Sequence, residues 1–506
     1  MLFNSLQFIL FFIVVTLLYF SLSLGWRWRL LLVASCYFYM VFQPAYILIL
    51  FGTIVIDYVA GLWIERTGEP NTGNKARKWL LIISLISNIG ILAFFKYLGF
   101  FAENVAGAFD LFGFSHMAEQ VTALTNRIFV GVLHLFGESG ITSFKDNMSI
   151  LPIGLSFHTF QAMSYTIEVY RGNQKAERNF GIYALYVMFY PQLVAGPIER
   201  PQNVLHQFHT YFPYKADQVK AGLMQMAFGF FKKCVIADRL VLLVDPAFND
   251  PGQYNGLTLL LATFFFTIQI YCDFSAYSDI AIGAARVMGF TLMENFRTPY
   301  IAQSITEFWR RWHISLSTWF RDYLYIPLGG NRKGEVRRNL NQLIVFLASG
   351  LWHGPNWTYV IWGGLHGAYQ VGAGLRDKHL PWFRLAVNPE ASLAQRAPRM
   401  ALHVVLTFGL VMLTWVFFRA KSVGDAMLIF RRMATLSFSD PLQTTLNSTE
   451  LIFSFLLIVF LLIKEHFYLY IPTRNTLRFV LLLSLILFVT YFFGVFTSNQ
   501  FIYFQF

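Results

Sequence analysis

Long apolar runs separated by short polar or basic stretches dominate the chain, and a helix needs about 20 predominantly apolar residues to cross roughly 30 Å of hydrocarbon. The clear candidates are 2–24, 79–101, 257–275, 401–419, 448–464 and 477–497. The run 30–63 is interrupted at Gln43-Pro44. Proline removes a backbone donor and crowds the preceding turn, so a pair of helices is predicted there. The segments 150–170, 180–197, 221–245, 280–290 and 339–375 are apolar but carry glycine, proline or charge inside them. Irregular backbone survives at membrane depth only where protein or a water-filled cavity satisfies its polar groups, so the middle of the chain is expected to enclose a cavity.

The polar stretches 103–148, 376–399 and 433–447 read as loops or interfacial segments. No repeat of 20 to 50 residues shows, and no polar stretch is long enough to fold as a soluble domain. The pattern predicts an all-α, polytopic integral membrane protein. A single domain covers 1–506, with its functional core at 150–370.

Composition agrees with that solvent. Of 506 residues, 56% are hydrophobic and only 13% charged, with a mean hydropathy of +0.50, which excludes an ordinary soluble enzyme. The chain has 55 Phe, 25 Tyr and 12 Trp, fitting lipid-facing surfaces and interfacial belts. A formal charge of +12 might suggest nucleic acid. The basic residues instead sit in short clusters between apolar runs, where they set topology beside anionic lipid headgroups. No nucleic-acid partner is expected.

Arg27 and Arg29 follow the first run, and Arg66, Lys75, Arg77 and Lys78 follow the split pair. The positive-inside rule places both clusters, and the loop 331–338 (NRKGEVRR), in the cytoplasm. The pair 30–63 then crosses out and back, leaving Met1 outside. The first run lacks a basic leading segment and an A-x-A-like cleavage site, so it reads as a retained helix. Cys36, Cys234 and Cys272 lie far apart. They predict neither a disulfide framework nor a metal site.

The sequence contains no GxSxG, Walker A, dinucleotide-binding glycine pattern or HExxH. Polar residues gather instead between 150 and 370, in LPIGLSFHTFQAMSYTIEVYRG (151–172), YPQLVAGPIERP (190–201), QIYCDFSAYSDIAIG (269–283), FWRRWHISLSTWFRDYLYIPLGGNR (308–332) and LWHGPNWTYVIWGGLHG (351–367). Asp273 and Asp279 are six residues apart, near opposite sides of a helix, so they do not form an acid/base couple. The bland reading pairs them with arginines or hydroxyls, and the functional one makes Asp273 a substrate contact. His158 reads as a hydrogen-bonded core histidine. Arg310, Arg311 and Arg321, interleaved with Trp and Phe, fit an interfacial amphipathic helix; Arg321 and Asp322 are also candidate substrate contacts.

His313 lies among aromatic residues that would keep a neutral imidazole near a reaction. His353 is an ionisable group inside an apolar run, where function is the default expectation. Burial keeps an imidazole neutral and available as a general base. Pro355 breaks the helix just beyond it, and Gly354 allows close approach. His366 lies about 220° around and about 20 Å along an unbroken helix from His353, so it reads as structural rather than as part of the same site.

The segments 308–332 and 351–367 resemble the core signature of the membrane-bound O-acyltransferase superfamily, in its bacterial branch that acetylates secreted polysaccharides. The likeness extends through LPIGLSF, AGPIER, YCDFSAYSDIAIG and MENFRTPY, and more weakly to FIYFQF at the end. It implies many transmembrane and re-entrant helices around a central tunnel, open to an acyl donor on the cytoplasmic side and to an acceptor outside. It also implies that His353 is catalytic, that His313 lines the same tunnel, and that the chain is an O-acetyltransferase of the bacterial inner membrane.

On that reading acetyl-CoA is the donor and no cofactor is bound. His353 deprotonates an acceptor hydroxyl, and His313 or Asn356 supplies hydrogen bonds to the oxyanion. The acceptor is a secreted polysaccharide, alginate first, or a periplasmic acetyltransferase or acceptor protein that completes the transfer. Two rivals remain from the residues alone. An export channel or transporter explains broken helices and intramembrane polar groups equally well. A scaffold of a secretion complex predicts that His353 is replaceable.

Overall fold

The computed structural model describes residues 1–42, 44–70, 73–136, 143–144, 154–194, 196–379, 393–467 and 474–496, and among them it forms helices and no strand. Among the described residues five helical segments are long and apolar enough to cross a membrane: Pro44–Arg66, Lys75–Leu111, Gly256–Val287, Ala397–Arg419 and Thr476–Phe493. The chain is a multi-pass membrane protein. The predicted spans 79–101, 257–275 and 401–419 fall within three of these, 477–497 overlaps Thr476–Phe493, and the fifth is the second half of the split run.

One compact unit holds Met1–Leu223 with Ala281–Leu292. Its helices are α1 (Leu6–Ser21), α2 (Leu24–Met40), α3 (Ile47–Arg66), α4 (Lys75–Leu92), α5 (Leu98–Leu111), α6 (Ser115–Leu135), α7 (Leu155–Arg171), α8 (Phe180–Met188), α9 (Tyr190–Leu193) and α10 (Pro201–Val204). Ser5 caps α1 by accepting from the backbone N–H of Phe8 at 3.2 Å. The helix stops at Leu22, whose backbone is extended, so the run 2–24 yields a helix of 16 residues, shorter than a full crossing. As the proline predicts, α2 ends at Met40 and α3 starts at Ile47 after a tight turn over Pro44–Tyr46.

The stretch 103–148, expected as a loop or an interfacial segment, is largely regular where it is described. It is helical through α5 and α6. The buried residues of α6 are Ala118, Thr125, Phe129 and Leu133, a stripe at spacings of seven and four that polar neighbours disguise. The stretch 376–399 is likewise helical at its described ends, while 433–447 is a loop from Thr435 on. Residues 151–153 of LPIGLSF and the closing FIYFQF lie outside the described residues.

Membrane-spanning helices carry polar groups only where neighbours satisfy them. Asp57 on α3 is fully buried and accepts from Ser84 Oγ and Asn88 Nδ2 on α4, the latter at 2.8 and 2.9 Å. Ser84 Oγ also lies 3.1 Å from Thr166 Oγ1 on α7. This knot of serine, asparagine, threonine and aspartate ties three helices together. His158, also on α7, is buried with its ring edge-on to Tyr39.

The second unit holds Met224–Ile280 and the described residues from Met293 on. Its helices are the latter part of α11 (Ala216–Phe231), α12 (Asp238–Asn249), most of α13 (Gly256–Val287), α14 (Ile305–Arg311), α15 (Ile314–Phe320), α16 (Glu335–His353), α17 (Trp357–His379), α18 (Leu393–Arg419), α19 (Val423–Ala434), α20 (Ser448–His466) and α21 (Thr476–Phe493). The expected core 150–370 thus has residues in both units.

α16 and α17 form a hairpin whose backbones meet through glycine. A Cβ on Gly350 would lie 2.3 Å from the Tyr359 carbonyl oxygen, and one on Gly363 would lie 2.3 Å from that of Phe346. Only hydrogen fits at either place. The pairing brings both arms of the LWHGPNWTYVIWGGLHG motif together.

Candidate active site

His353 is the last residue of α16, and α17 begins at Trp357. Between them Gly354 is extended, and a Cβ there would lie 2.2 Å from the Tyr359 ring. The glycine therefore lets Tyr359 fold against the break. His353 is 4% exposed. Its ring meets Trp352 at 4.9 Å, Trp362 edge-on at 5.0 Å and Phe418 of α18 at 5.2 Å between centroids.

His313 is fully buried at the start of α15. It has φ +43° and ψ +55°, a left-handed conformation costly for a residue with a side chain. Phe274 of α13 packs edge-on against it at 4.6 Å, and Phe296 and Trp352 each lie at 6.3 Å. Trp352 therefore lies within ring distance of both His313 and His353. That shared indole joins two motifs 40 residues apart in sequence.

The match to known proteins follows the same residues. The family model described as "MBOAT, membrane-bound O-acyltransferase family" matches 173–386, which includes both histidines. A probable alginate O-acetylase of Pseudomonas aeruginosa is 38% identical over 455 residues, covering 89% of this chain and 78% of that protein. A peptidoglycan O-acetyltransferase of Helicobacter pylori is 34% identical over 439 residues, 80% of this chain and 73% of the relative. A teichoic acid D-alanyltransferase of Streptococcus thermophilus is 29% identical over 53% of this chain and 68% of its own length. The chain belongs to the membrane-bound O-acyltransferase family. It is an acyltransferase.

In this acyltransferase His366 lies closer to His353 than unbroken helix geometry predicts. Trp362 contacts both rings, each at 5.0 Å, because the break after His353 folds α17 back along α16. The nitrogens of His366 are nevertheless committed. Trp309 Nε1 donates to Nδ1 at 3.2 Å, and Nε2 lies 3.0 Å from Thr414 Oγ1, whose own proton goes to the Val411 carbonyl. Such a ring braces α14, α17 and α18.

Asn356 caps α17. Its Oδ1 accepts from the Thr358 N–H at 2.9 Å, and its Nδ2 donates to the Lys421 carbonyl at 3.0 Å. The oxygen is engaged as in a helix cap, and the nitrogen ties the turn to the segment after α18. Arg321 and Asp322 pair with each other at 2.8 Å on a turn that leaves the arginine side chain 60% exposed.

Asp273 is buried and pairs with Lys233 at 2.7 Å; the same ammonium meets Asp238 at 2.8 Å. Asp279 pairs with Lys232 at 2.7 Å, and Lys232 also reaches Ser275 Oγ. The expectation that these aspartates are paired holds, with lysine rather than arginine as the cation. Lys232 and Lys233 are neighbours in the π-helical segment Lys232–Ala237 that joins α11 to α12, and each serves one of the two carboxylates on α13. The signal was the KK dipeptide inside the apolar run 221–245.

Sequence reasoning passed over Asn295, which the fold sets against His313. Asn295 Oδ1 lies 3.1 Å from His313 Nδ1 and accepts from Ser315 Oγ at 2.9 Å. The MENF string gives no sign of this. Only the folded chain brings residues 295 and 313 together. Among the described residues no group of three His, Cys, Asp or Glu side chains is placed to hold a metal ion.

Proposed function

We propose that this acyltransferase moves acetyl groups from a cytoplasmic thioester, acetyl-CoA, across the bacterial inner membrane to O-acetylate a secreted polysaccharide. Alginate is the first acceptor to test, because the relative from Pseudomonas aeruginosa carries that name over most of both chains. The observation that carries the reading is the placement of His353: a buried imidazole at a helix break, one indole away from His313.

In the proposed step His353 takes the proton of an acceptor hydroxyl as the oxygen attacks the thioester carbonyl. The tetrahedral intermediate collapses, the C–S bond breaks, and the CoA thiolate takes up the proton held by His353. His313 contacts the reacting groups beside it. Base assistance of this kind accelerates transfer by about 10² to 10⁴. The direct acceptor is the polysaccharide hydroxyl or a hydroxyl on a periplasmic partner that completes the transfer.

Deleting the gene separates this reading from an export channel. Polymer should appear in the medium in normal amount but without base-labile acetyl esters. Loss of polymer with its esters intact would establish the channel instead.

Orientation has its own test. By the positive-inside rule the basic loop 64–78, with the exposed Gly73, belongs on the cytoplasmic side. A cysteine introduced there should react with an impermeant maleimide only after the inner membrane is opened. Labelling in intact spheroplasts would reverse the topology.

A further inference from the structure

We infer that Asn295 is a positioning residue for catalysis: it fixes the proton of His313 on Nδ1, so that Nε2 meets the reacting groups as a hydrogen-bond acceptor. This rests on the proposed acyl transfer and assigns His313 a hydrogen-bond-accepting role in place of oxyanion donation, orienting the acceptor through a polar hydrogen other than that of the attacking hydroxyl, whose proton goes to His353.

The amide orientation follows from its partners. Asn295 Nδ2 donates to Ser278 Oγ on α13 at 3.1 Å. The opposite atom, Oδ1, faces two donors on Ser315, the hydroxyl at 2.9 Å and the backbone N–H at 3.3 Å. An oxygen is required where a backbone N–H points at it, which settles which end is which. His313 Nδ1, 3.1 Å from that same oxygen, must then be the donor. A neutral imidazole with its proton on Nδ1 carries its lone pair on Nε2.

The backbone of Asn295 reinforces the arrangement. Its carbonyl accepts from the Ile314 N–H at 2.9 Å, and nearby the Arg297 N–H donates to the Arg311 carbonyl at 2.9 Å. The segments 295–298 and 311–315 are thus laced together. The two non-glycine residues with positive φ among those described, Thr298 and His313, lie one on each segment. Backbone strain of this kind persists only where surrounding structure holds it and gathers at functional sites. Asn295 holds it from three sides: main chain to Ile314, side chain to Ser315 and His313, and amide to Ser278. Phe274 of α13, Phe296, Trp352 of α16, Asn295 and Ser315, all set against the imidazole, carry no charge.

The test compares Asn295→Ala, Asn295→Asp, His313→Ala and His353→Ala as purified, detergent-solubilised full-length proteins. The assay follows transfer of labelled acetyl from acetyl-CoA to a glycan acceptor across a pH series. Asn295→Ala should lower kcat by about 10- to 100-fold, the range for removing a group that orients a histidine, with acceptor KM within about twofold. Asn295→Asp keeps an acceptor for Nδ1–H and should retain more activity than the alanine variant. Its added negative charge favours the imidazolium, so the acid limb of its profile should move about one unit to higher pH.

Wild-type kcat in Asn295→Ala would overturn the inference, as would equal impairment of both variants with an unchanged pH profile. If the alanine variant does not fold, the acid limb of Asn295→Asp decides alone: shifted upward it supports the assignment, unshifted it refutes it. Inactive His313→Ala and His353→Ala beside a fully active Asn295→Ala would defeat only the role given to Asn295. A fully active His353→Ala would defeat the acyl-transfer reading beneath it.

Discussion

Replacing His353 with alanine is expected to reduce acetylation of the secreted polymer by about 10² to 10⁴, the usual contribution of a general base, while the protein reaches the membrane at its normal level. The imidazole sits where α16 stops, and Trp352, Trp362 and Phe418 meet it through ring faces and edges. Truncation therefore leaves the hairpin held by Gly350 and Gly363 in place. Ester content in a deletion strain complemented with the variant, set against protein level in the membrane fraction, is the measurement. Wild-type ester content would remove His353 from the mechanism and favour a scaffold.

Lys233→Met should have the largest effect on stability. It removes the one cation that pairs with both Asp238 and Asp273, whose side chains are 1% and 4% exposed. Breaking a buried pair by deleting one partner costs about 3–5 kcal/mol, because a charge is left in a low-dielectric interior. Two carboxylates facing each other would add repulsion. The solubilised variant should melt well below wild type and accumulate poorly. Adding Asp238→Asn and Asp273→Asn should recover much of the loss, since neutral amides need no counter-ion. A Lys233→Met protein that melts like wild type would show that the triad is not what holds α12 and α13 in place.

The spans at 79–101, 257–275, 401–419 and 477–497 were legible because a twenty-residue apolar run has few alternatives, and the break before Pro44 because proline cannot continue a helix; the runs 2–24 and 448–464 gave helices outside the set long and apolar enough to cross. α6 was hidden: one helical face buries Ala118, Thr125, Phe129 and Leu133 while polar residues fill the rest, so the hydropathy of the stretch looks like a loop. His353 showed in the sequence through its apolar setting and the glycine and proline beside it.

The relation of His353 to its neighbours did not show. Angular arithmetic along one helix put His366 far away, yet the break it ignored folds Trp362 between the two rings. Asp273 and Asp279 were expected to pair with arginines or hydroxyls and pair with lysines, because pairing across helices depends on register that spacing within one segment does not reveal. Asn295 is the extreme case. Its role exists only because a left-handed turn at His313 is tied to a segment 18 residues upstream.

The central claim is that this chain breaks a thioester and makes an oxygen ester at His353. Its most direct test uses purified protein with acetyl-CoA labelled in the acetyl group and acceptor glycan, or the glycan with its periplasmic partner. Label in base-labile ester is counted for wild type and His353→Ala. Ester-bound label from the wild type, with background from the variant, is the predicted result. Equal label from both proteins, or thioester left intact by both, would contradict it.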